Sequence, residues 1–188
     1  MARFRTLNDA EEREFWRFYG LYWREAERCE KAKAYLAGCV MPGSALKALL
    51  ILMVNVYDEE AVATGLIPTK GKKGKVVKRP KPLMDWDLAQ LLRVAKAANW
   101  LPAGLNLNDD WNIRKARVGD YAEVVCTVRN LVHAGKYRKE HFRERATERF
   151  LQRHFEFVDA CREWVADHNA KSLLTHMKEE EAAKAAGK

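Results

Sequence analysis

The sequence predicts an all-α protein, an up-and-down bundle of four long helices plus one or two short ones. Apolar residues recur every three or four positions through most of the chain, as they do on the buried face of a helix. Nothing in the sequence alternates apolar and polar residues in the manner of a half-buried strand. The 188 residues are 48% hydrophobic and include six Trp, which is enough for one compact core. We therefore expect a single helical-bundle domain over residues 1–170.

The first two long helices follow from capping and apolar spacing. Asn8 or Asp9 is placed to cap the first helix, ahead of apolar residues at helical spacing, namely Phe15, Phe18, Tyr19, Tyr22 and Ala26. Helical spacing resumes over residues 29–58, where Pro42 either kinks one long helix or divides two. Residues 48–56 are apolar on nearly every side, which predicts the most buried helix of the protein.

The middle of the chain predicts short elements around a basic loop. Residues 58–65 are typical of one short helical turn that ends at Gly65. Residues 66–83 mix Gly, Pro and Lys, and we expect a mobile surface loop without fixed structure there. A further helix should then run from Asp85 to about Asn99.

Two more helices complete the predicted bundle. Residues 106–110 are placed to cap a helix that ends at His133 and buries one apolar stripe, made of Val118, Ala122, Val125 and Val132. After Gly135 the chain turns into a final long helix that should end near His168. Its apolar face carries His154, which we expect to be a hydrogen-bonded core histidine. The charged, Ala-rich residues 171–188 predict a frayed tail.

Composition limits the classes of function. The formal net charge is +8 and the pI is about 9.3, which favours polyanionic partners such as nucleic acid. The four cysteines show no C-x-x-C pair and no His at ligand spacing, so we expect neither a metal nor another cofactor. We see no secretion signal, and the longest apolar run is far shorter than a membrane span. These features predict a cytoplasmic protein that does not bind membranes.

Arg129, Asn130 and His133 place reactive side chains at the end of the apolar stripe. At 100° per residue, His133 lies about 40° around the helix from Arg129 and one turn further on. An imidazole can take a proton from a ribose 2'-hydroxyl or give one to the leaving 5'-oxygen. A guanidinium can hold the scissile phosphate, and Asn130 can add a hydrogen bond. These residue types are those needed for metal-free RNA cleavage.

A structural interpretation of the same residues is also open. Cations are favoured at the C-terminal end of a helix by its dipole, and Gly135 is a typical residue for ending one. Arg129 would then pair with a carboxylate such as Glu123 or one on another helix. In this interpretation Arg129 and His133 serve the fold or a dimer interface rather than a reaction.

The helix that ends in R-N-L-V-H, in a small basic all-α protein, resembles the HEPN superfamily. Residues 34–50 are similar to the buried second helix that is common in HEPN-like bacterial proteins. The resemblance implies a homodimer in which two Arg-Asn-x-x-His motifs face each other and form one RNA-cleaving cleft. It also implies a metal-independent endoribonuclease of a toxin or phage-defence system, with a possible cognate regulator or antitoxin. Arg129, Asn130 and His133 would be the catalytic residues.

The family usually places four to six residues between the Arg and the His, whereas three separate Arg129 from His133. One residue turns a side chain by about 100° around a helix. The alternative function is therefore a non-catalytic dimeric HEPN-like adaptor or RNA-binding module. A DNA-binding regulator is a third hypothesis, although no helix-turn-helix with a polar recognition helix is apparent.

Two basic clusters are candidates for RNA binding. One follows the motif and contains Lys136, Arg138, Lys139 and Arg143, and the other lies in the predicted loop and contains Lys72, Lys73, Lys75 and Lys78. Contacts of this kind release counterions from phosphates and make binding depend on salt. Each cluster also has a simpler interpretation, as an ordinary solvated surface.

Overall fold

A computed structural model of the chain describes residues 3–70, 79–101, 122, 125, 126 and 147–185. Of these residues, 78% are helical, which confirms the predicted all-α class. The α-helices in the described residues are α1 (Asp9–Lys31), α2 (Tyr35–Val56), α3 (Asp58–Ala63), α4 (Leu88–Ala97) and α5 (Glu148–Ala185). The core forms where α1, α4 and α5 pack around α2.

Helix α1 begins as its sequence predicts. The Asn8 side chain accepts hydrogen bonds from the N–H groups of Ala10 and Glu11, each at 3.0 Å. The Glu11 carboxylate in turn accepts one from the N–H of Asn8 at 3.0 Å. This reciprocal arrangement satisfies N–H groups that the first turn of a helix leaves without partners. The cap is encoded within four consecutive residues, so the sequence alone could locate it.

Helix α2 is the most buried of the described helices, as predicted, with 13 of its 22 residues buried. Pro42 lies inside one continuous helix and does not divide it. The break in the predicted helical stretch instead falls at residues 32–34. Lys33 there adopts a left-handed backbone with φ of 56°, a conformation that ends a helix and that few non-glycine residues take.

The length and composition of α2 would also suit a membrane span. Its mean hydropathy over the most apolar 18-residue window is 1.8, and 78% of that window is buried inside the protein. In this structure, the packing of α2 is that of a core helix.

The N-terminal segment before α1 contacts both α2 and Trp86. Asn55 near the end of α2 accepts a hydrogen bond from the N–H of Leu7 at 2.7 Å and donates one to the Glu12 carboxylate at 3.0 Å. The ring of Phe4 contacts Trp86, with ring centroids 4.9 Å apart. A polar residue in an apolar helix is thereby satisfied, which removes the cost of burying an unpaired amide.

The prediction of no strand was wrong at one place. Strand β1 (Thr69–Lys70) pairs antiparallel with β2 (Arg79–Pro80), with Thr69 opposite Pro80 and Lys70 opposite Arg79. Strands of two residues are too short to show alternation in a sequence. The ends of the predicted unstructured loop are therefore hydrogen-bonded to each other, while residues 71–78 lie outside the described part.

Helix α4 begins three residues later than predicted. Asp87 caps it by accepting from the N–H of Gln90 at 2.8 Å, and the Gln90 side chain accepts from the N–H of Asp87 at 3.1 Å. Asp85 belongs instead to a single 3-10 turn that precedes the cap. The predicted end is confirmed, because α4 stops at Ala97 and Asn99 adopts a left-handed backbone with φ of 58°.

Helix α5 was predicted to end near His168, but it continues to Ala185. Residues 169–185 contain no Gly or Pro and are rich in Ala, Glu and Lys, which favour helix. Lys171 and Asp167, four residues apart, form an ion pair at 2.6 Å that supports the extension. The apolar side chains Leu173 and Leu174 on this extension are exposed. The proposed boundary between a domain at residues 1–170 and a tail at 171–188 remains a prediction.

Replacement by alanine should change the stability of the protein in opposite directions at two helical glycines, Gly20 and Gly38. A Cβ on Gly38 would lie 2.8 Å from Cδ2 of the fully buried Leu151, whereas a Cβ on Gly20 would meet only the mobile guanidinium of Arg24 at 3.2 Å. Alanine gains about 1 kcal/mol over glycine within a helix, and overpacking costs about 1–3 kcal/mol. Urea denaturation should show Gly20→Ala stabilised by about 0.5–1 kcal/mol and Gly38→Ala destabilised by about 1 kcal/mol. Equal shifts would contradict the packing of α2 against α5.

Candidate functional site

The predicted catalytic residues lie outside the described residues. This applies to Arg129, Asn130 and His133, and equally to the basic residues predicted to bind RNA, which are Lys136, Arg138, Lys139, Arg143, Lys72, Lys73, Lys75 and Lys78. Their roles therefore remain predictions. The structure does describe residues of the predicted motif helix and both ends of the basic loop.

The apolar stripe of the motif helix is confirmed where it is described. Ala122 and Val125 are helical and fully buried, and both belong to the main hydrophobic core. These two residues were predicted to share one buried face. From that face the sequence predicts that Arg129 follows Val125 by one turn.

The described ends of the basic loop are held side by side. Lys70 and Arg79 are opposite each other in the hairpin, and both are exposed. The N–H of Lys81 donates to the carbonyl of Pro68 at 2.8 Å, which extends the pairing. Two like charges that face each other across a hairpin are unfavourable unless solvent or an anion screens them.

Helix α1 presents a basic surface that the sequence interpretation missed. Arg13, Arg17, Gly20 and Arg24 follow one another at spacings of four, three and four residues, so they lie along one line of the helix. This line faces away from Phe15, Tyr19 and Trp23, which pack against the core. We call Arg13, Trp16, Arg17, Gly20 and Arg24 the α1 basic face.

Arg13, Arg17 and Arg24 of this face are unpaired within the described part of the chain. The ion pairs found there include other arginines, among them Arg28 of the same helix, which pairs with Glu25. Trp16 lies beside the line of arginines and is 51% exposed. The face borders a cavity of about 380 Å³, lined in the described residues by Trp16, Arg17, Gly20 and Arg24 together with Glu14, Phe18 and Leu21. The signal in the sequence was the spacing of the arginines, but only the packing of α1 shows that they face solvent.

A polar cluster joins α3, the end of α4 and α5. The Glu60 carboxylate accepts a hydrogen bond from Trp100 Nε1 at 2.7 Å and lies 3.2 Å from His168 Nε2. The ring of Tyr57 contacts His168 edge-on, with centroids 4.9 Å apart. Among the described residues, no group of three or more His, Cys, Asp or Glu side chains is arranged to hold a metal ion. The cluster is best explained as a cross-link between helices.

His154 is buried in the apolar face of α5, as predicted, and the described residues satisfy only one of its nitrogens. Nδ1 lies 2.8 Å from the carbonyl oxygen of Phe150. Because a carbonyl can only accept, Nδ1 carries the proton and Nε2 is left as an acceptor. No described residue donates a hydrogen bond to Nε2. Burial lowers the pKa of His154 to about 4, since the charged form would lose its hydration.

The depressed pKa of His154 predicts a loss of stability in acid. The unfolded chain, with a His pKa of 6.5, binds a proton more readily than the folded chain, so the stabilisation is complete above that pH and disappears as the pH falls toward 4. Compared with His154→Gln, the wild type should lose about 2 kcal/mol more free energy of unfolding between about pH 7 and about pH 5. Parallel pH dependences of the two proteins in urea denaturation would show that His154 protonates freely when folded.

The four cysteines are free thiols. Two of them, Cys39 and Cys161, have pKa values that make them poor nucleophiles. Burial raises the pKa of Cys39 and of Cys161 to about 12 in each case. A thiol with such a pKa contains almost no thiolate near neutral pH, and thiolate is the reactive form. Both side chains are fully buried and serve as packing residues of the core.

Comparison of the chain with protein-family models, with curated proteins and with solved structures finds no match in any of the three.

Proposed function

We propose that this protein is a metal-independent endoribonuclease of the HEPN type that acts as a homodimer. The observation that carries the proposal is the sequence Arg129-Asn130-x-x-His133 at the predicted end of a helix. Two findings support it. Of the described residues of that helix, Ala122 and Val125 are buried in the core and Cys126 is half-buried, and the fold is helical as the resemblance requires.

The proposed reaction uses the ribose 2'-hydroxyl of the RNA as the nucleophile. His133 of one protomer takes the 2'-hydroxyl proton as the oxygen attacks phosphorus. The bond from phosphorus to the 5'-oxygen then breaks, and a protonated His133 of the second protomer supplies the proton to that oxygen. Arg129 holds the phosphate and its growing negative charge, and Asn130 donates a hydrogen bond. The products are a 2',3'-cyclic phosphate and a 5'-hydroxyl end.

Basic residues near the motif would guide RNA to the site. Lys136, Arg138, Lys139 and Arg143 follow His133 closely in the chain, so they are candidates for contacts beside the scissile phosphate. The RNA strand would also contact the basic residues that lie between β1 and β2 in the sequence, which are Lys72, Lys73, Lys75 and Lys78. We place the protein in the cytoplasm, as the toxin of a toxin-antitoxin pair or as a phage-defence component with a cognate regulator.

The experiment that tests the proposal is cleavage of long, mixed-sequence RNA by the purified protein in excess EDTA. We expect cleavage under these conditions, because Arg and His supply the chemistry without a metal. Intact RNA after prolonged incubation, both in EDTA and with added divalent cations, would exclude the nuclease.

A non-catalytic dimeric adaptor or RNA-binding module is the second candidate. The short spacing of three residues between Arg129 and His133 favours it, because the imidazole would point away from the position usual in the family. Such a protein would bind RNA or a partner protein and would leave RNA uncut. Binding without cleavage, in the same EDTA experiment, would identify it.

A further inference from the structure

The three unpaired arginines on the α1 basic face form a row of fixed positive charge. At a rise of 1.5 Å per residue, Arg13 and Arg24 are about 16 Å apart along the helix axis, with Arg17 between them. Each guanidinium presents several N–H donors in a planar fork that matches the oxygens of a phosphate. A row of this length suits several phosphates of one strand rather than a single small anion.

Trp16 gives the row an aromatic platform. Its side chain is 51% exposed, although Trp usually buries most of its surface. The ring of Tyr19 contacts it edge-on, with centroids 6.4 Å apart and planes at 87°, which supports the indole from the core side of the helix. An exposed, supported indole beside arginines is suited to stacking on an unpaired base.

Gly20 leaves room for the Arg24 side chain at the centre of the face. Arg24 folds toward this position, since a Cβ there would meet its Nη1 at 3.2 Å. The Arg24 guanidinium therefore lies over Gly20, beside the cavity that both residues line.

Charge complementarity indicates which partner the α1 basic face binds. A second copy of the same face would bring arginines against arginines, which is unfavourable. A membrane-bound helix inserts an apolar face into the lipid, but the apolar face of α1 already packs against the core through Phe15, Tyr19 and Trp23. A polyanion with flat, exposed bases satisfies both the arginines and Trp16.

We propose that the α1 basic face binds single-stranded nucleic acid, with Arg13, Arg17 and Arg24 on the phosphates and Trp16 stacked on a base. That the strand is RNA rests on the proposed function. The face would hold part of a substrate strand.

The test measures binding of a fluorescein-labelled oligouridylate of about 12 nucleotides by anisotropy, in EDTA and in a His133→Ala background so that the probe stays intact. The triple change Arg13→Gln, Arg17→Gln and Arg24→Gln should weaken binding by at least tenfold. It should also reduce the slope of log affinity against log salt by about 2, because each phosphate contact contributes about 0.7 for a single strand. Trp16→Ala should weaken binding about tenfold and leave the salt slope unchanged.

A matched control removes three positive charges outside the α1 basic face. In this control Arg3, Arg93 and Arg162 are replaced by Gln, since Arg3 and Arg162 are paired with Glu59 and Asp159 and all three lie off the α1 basic face. It should keep most of the affinity and the full salt slope. Equal losses in the two triple variants would overturn the proposal, because net charge alone would then explain binding.

Three further outcomes show which proposal has failed. If the α1 triple variant loses binding to phosphatidylserine-containing vesicles but keeps binding to oligouridylate, the face binds lipid and the proposal is wrong. If the wild type binds oligouridylate through α1 but never cuts long RNA, the α1 proposal stands and the nuclease fails. If the wild type cuts RNA while the α1 variant binds normally, the nuclease stands and the α1 proposal fails.

Discussion

Replacing His133 by Ala is expected to lower the rate of RNA cleavage by about a hundredfold to ten-thousandfold, the usual contribution of general acid–base catalysis. In the proposed dimer the change removes both the group that takes the 2'-hydroxyl proton and the group that protonates the 5'-oxygen. The measurement is the initial rate on a fluorescent RNA in EDTA. His176→Ala is the matched control, because His176 is outside the motif, and its rate should be close to that of the wild type.

The same variant must remain folded for this result to be informative. Circular dichroism and size-exclusion chromatography of His133→Ala should match the wild type, because the proposal assigns His133 to chemistry rather than to packing. Arg129→Lys should also cut slowly, since an ammonium keeps the charge but loses the planar fork that holds a phosphate. A His133→Ala protein that cuts RNA at the wild-type rate would remove His133 from the mechanism.

Replacing Trp100 by Ala is expected to lower the free energy of unfolding by about 4 kcal/mol, near the upper end of single core truncations. The indole is fully buried at the end of α4, and its Nε1 donates to Glu60 on α3 at 2.7 Å. Truncation leaves a large cavity and takes a partner from Glu60. Urea denaturation gives the value directly.

Two variants test the cause of that loss. Trp16→Ala removes the same side chain from an exposed position and should change stability by less than about 0.5 kcal/mol. Trp100→Phe keeps most of the packing but loses the hydrogen bond, and it should cost about 1–2 kcal/mol. If Trp100→Ala were no worse than Trp16→Ala, the packing of α3 and α4 around Trp100 would be wrong.

The features that could be predicted from sequence depend on neighbours in the chain. The cap formed by Asn8 and Glu11 needs four consecutive residues, and the burial of α2 follows from its nearly continuous apolar composition. Ala122 and Val125 were placed in the core by helical spacing alone. In each case the decisive interaction is local, or is dictated by hydrophobicity.

The features that were missed leave no distinctive pattern in the sequence. The pairing of β1 with β2 joins segments ten residues apart and leaves no alternating pattern. The extension of α5 to Ala185 was missed because a charged, Ala-rich composition is shared by frayed tails and exposed helices. His154 was expected to be hydrogen-bonded in the core, but no described residue donates to its Nε2, and the spacing along α5 does not show this.

The role of the α1 basic face could not be predicted from sequence for a similar reason. Arginines at spacings of four and seven are visible in the sequence, but charged residues at such spacing cover many helices. Their meaning depends on which face packs against the core, and on the lack of an acidic partner for Arg13, Arg17 and Arg24 within the described part of the chain. Both facts come only from the folded structure.

In the proposed reaction, RNA is cut by attack of its own 2'-hydroxyl, and His133 transfers the protons. Mass spectrometry of a short RNA cut by the wild-type protein in EDTA identifies the ends that this reaction leaves. We predict 2',3'-cyclic phosphate and 5'-hydroxyl ends, together with no cleavage when a single 2'-deoxyribose replaces the ribose at the cleaved position. Products with 5'-phosphate and 3'-hydroxyl ends, or equal cleavage of the deoxy-substituted strand, would contradict the account.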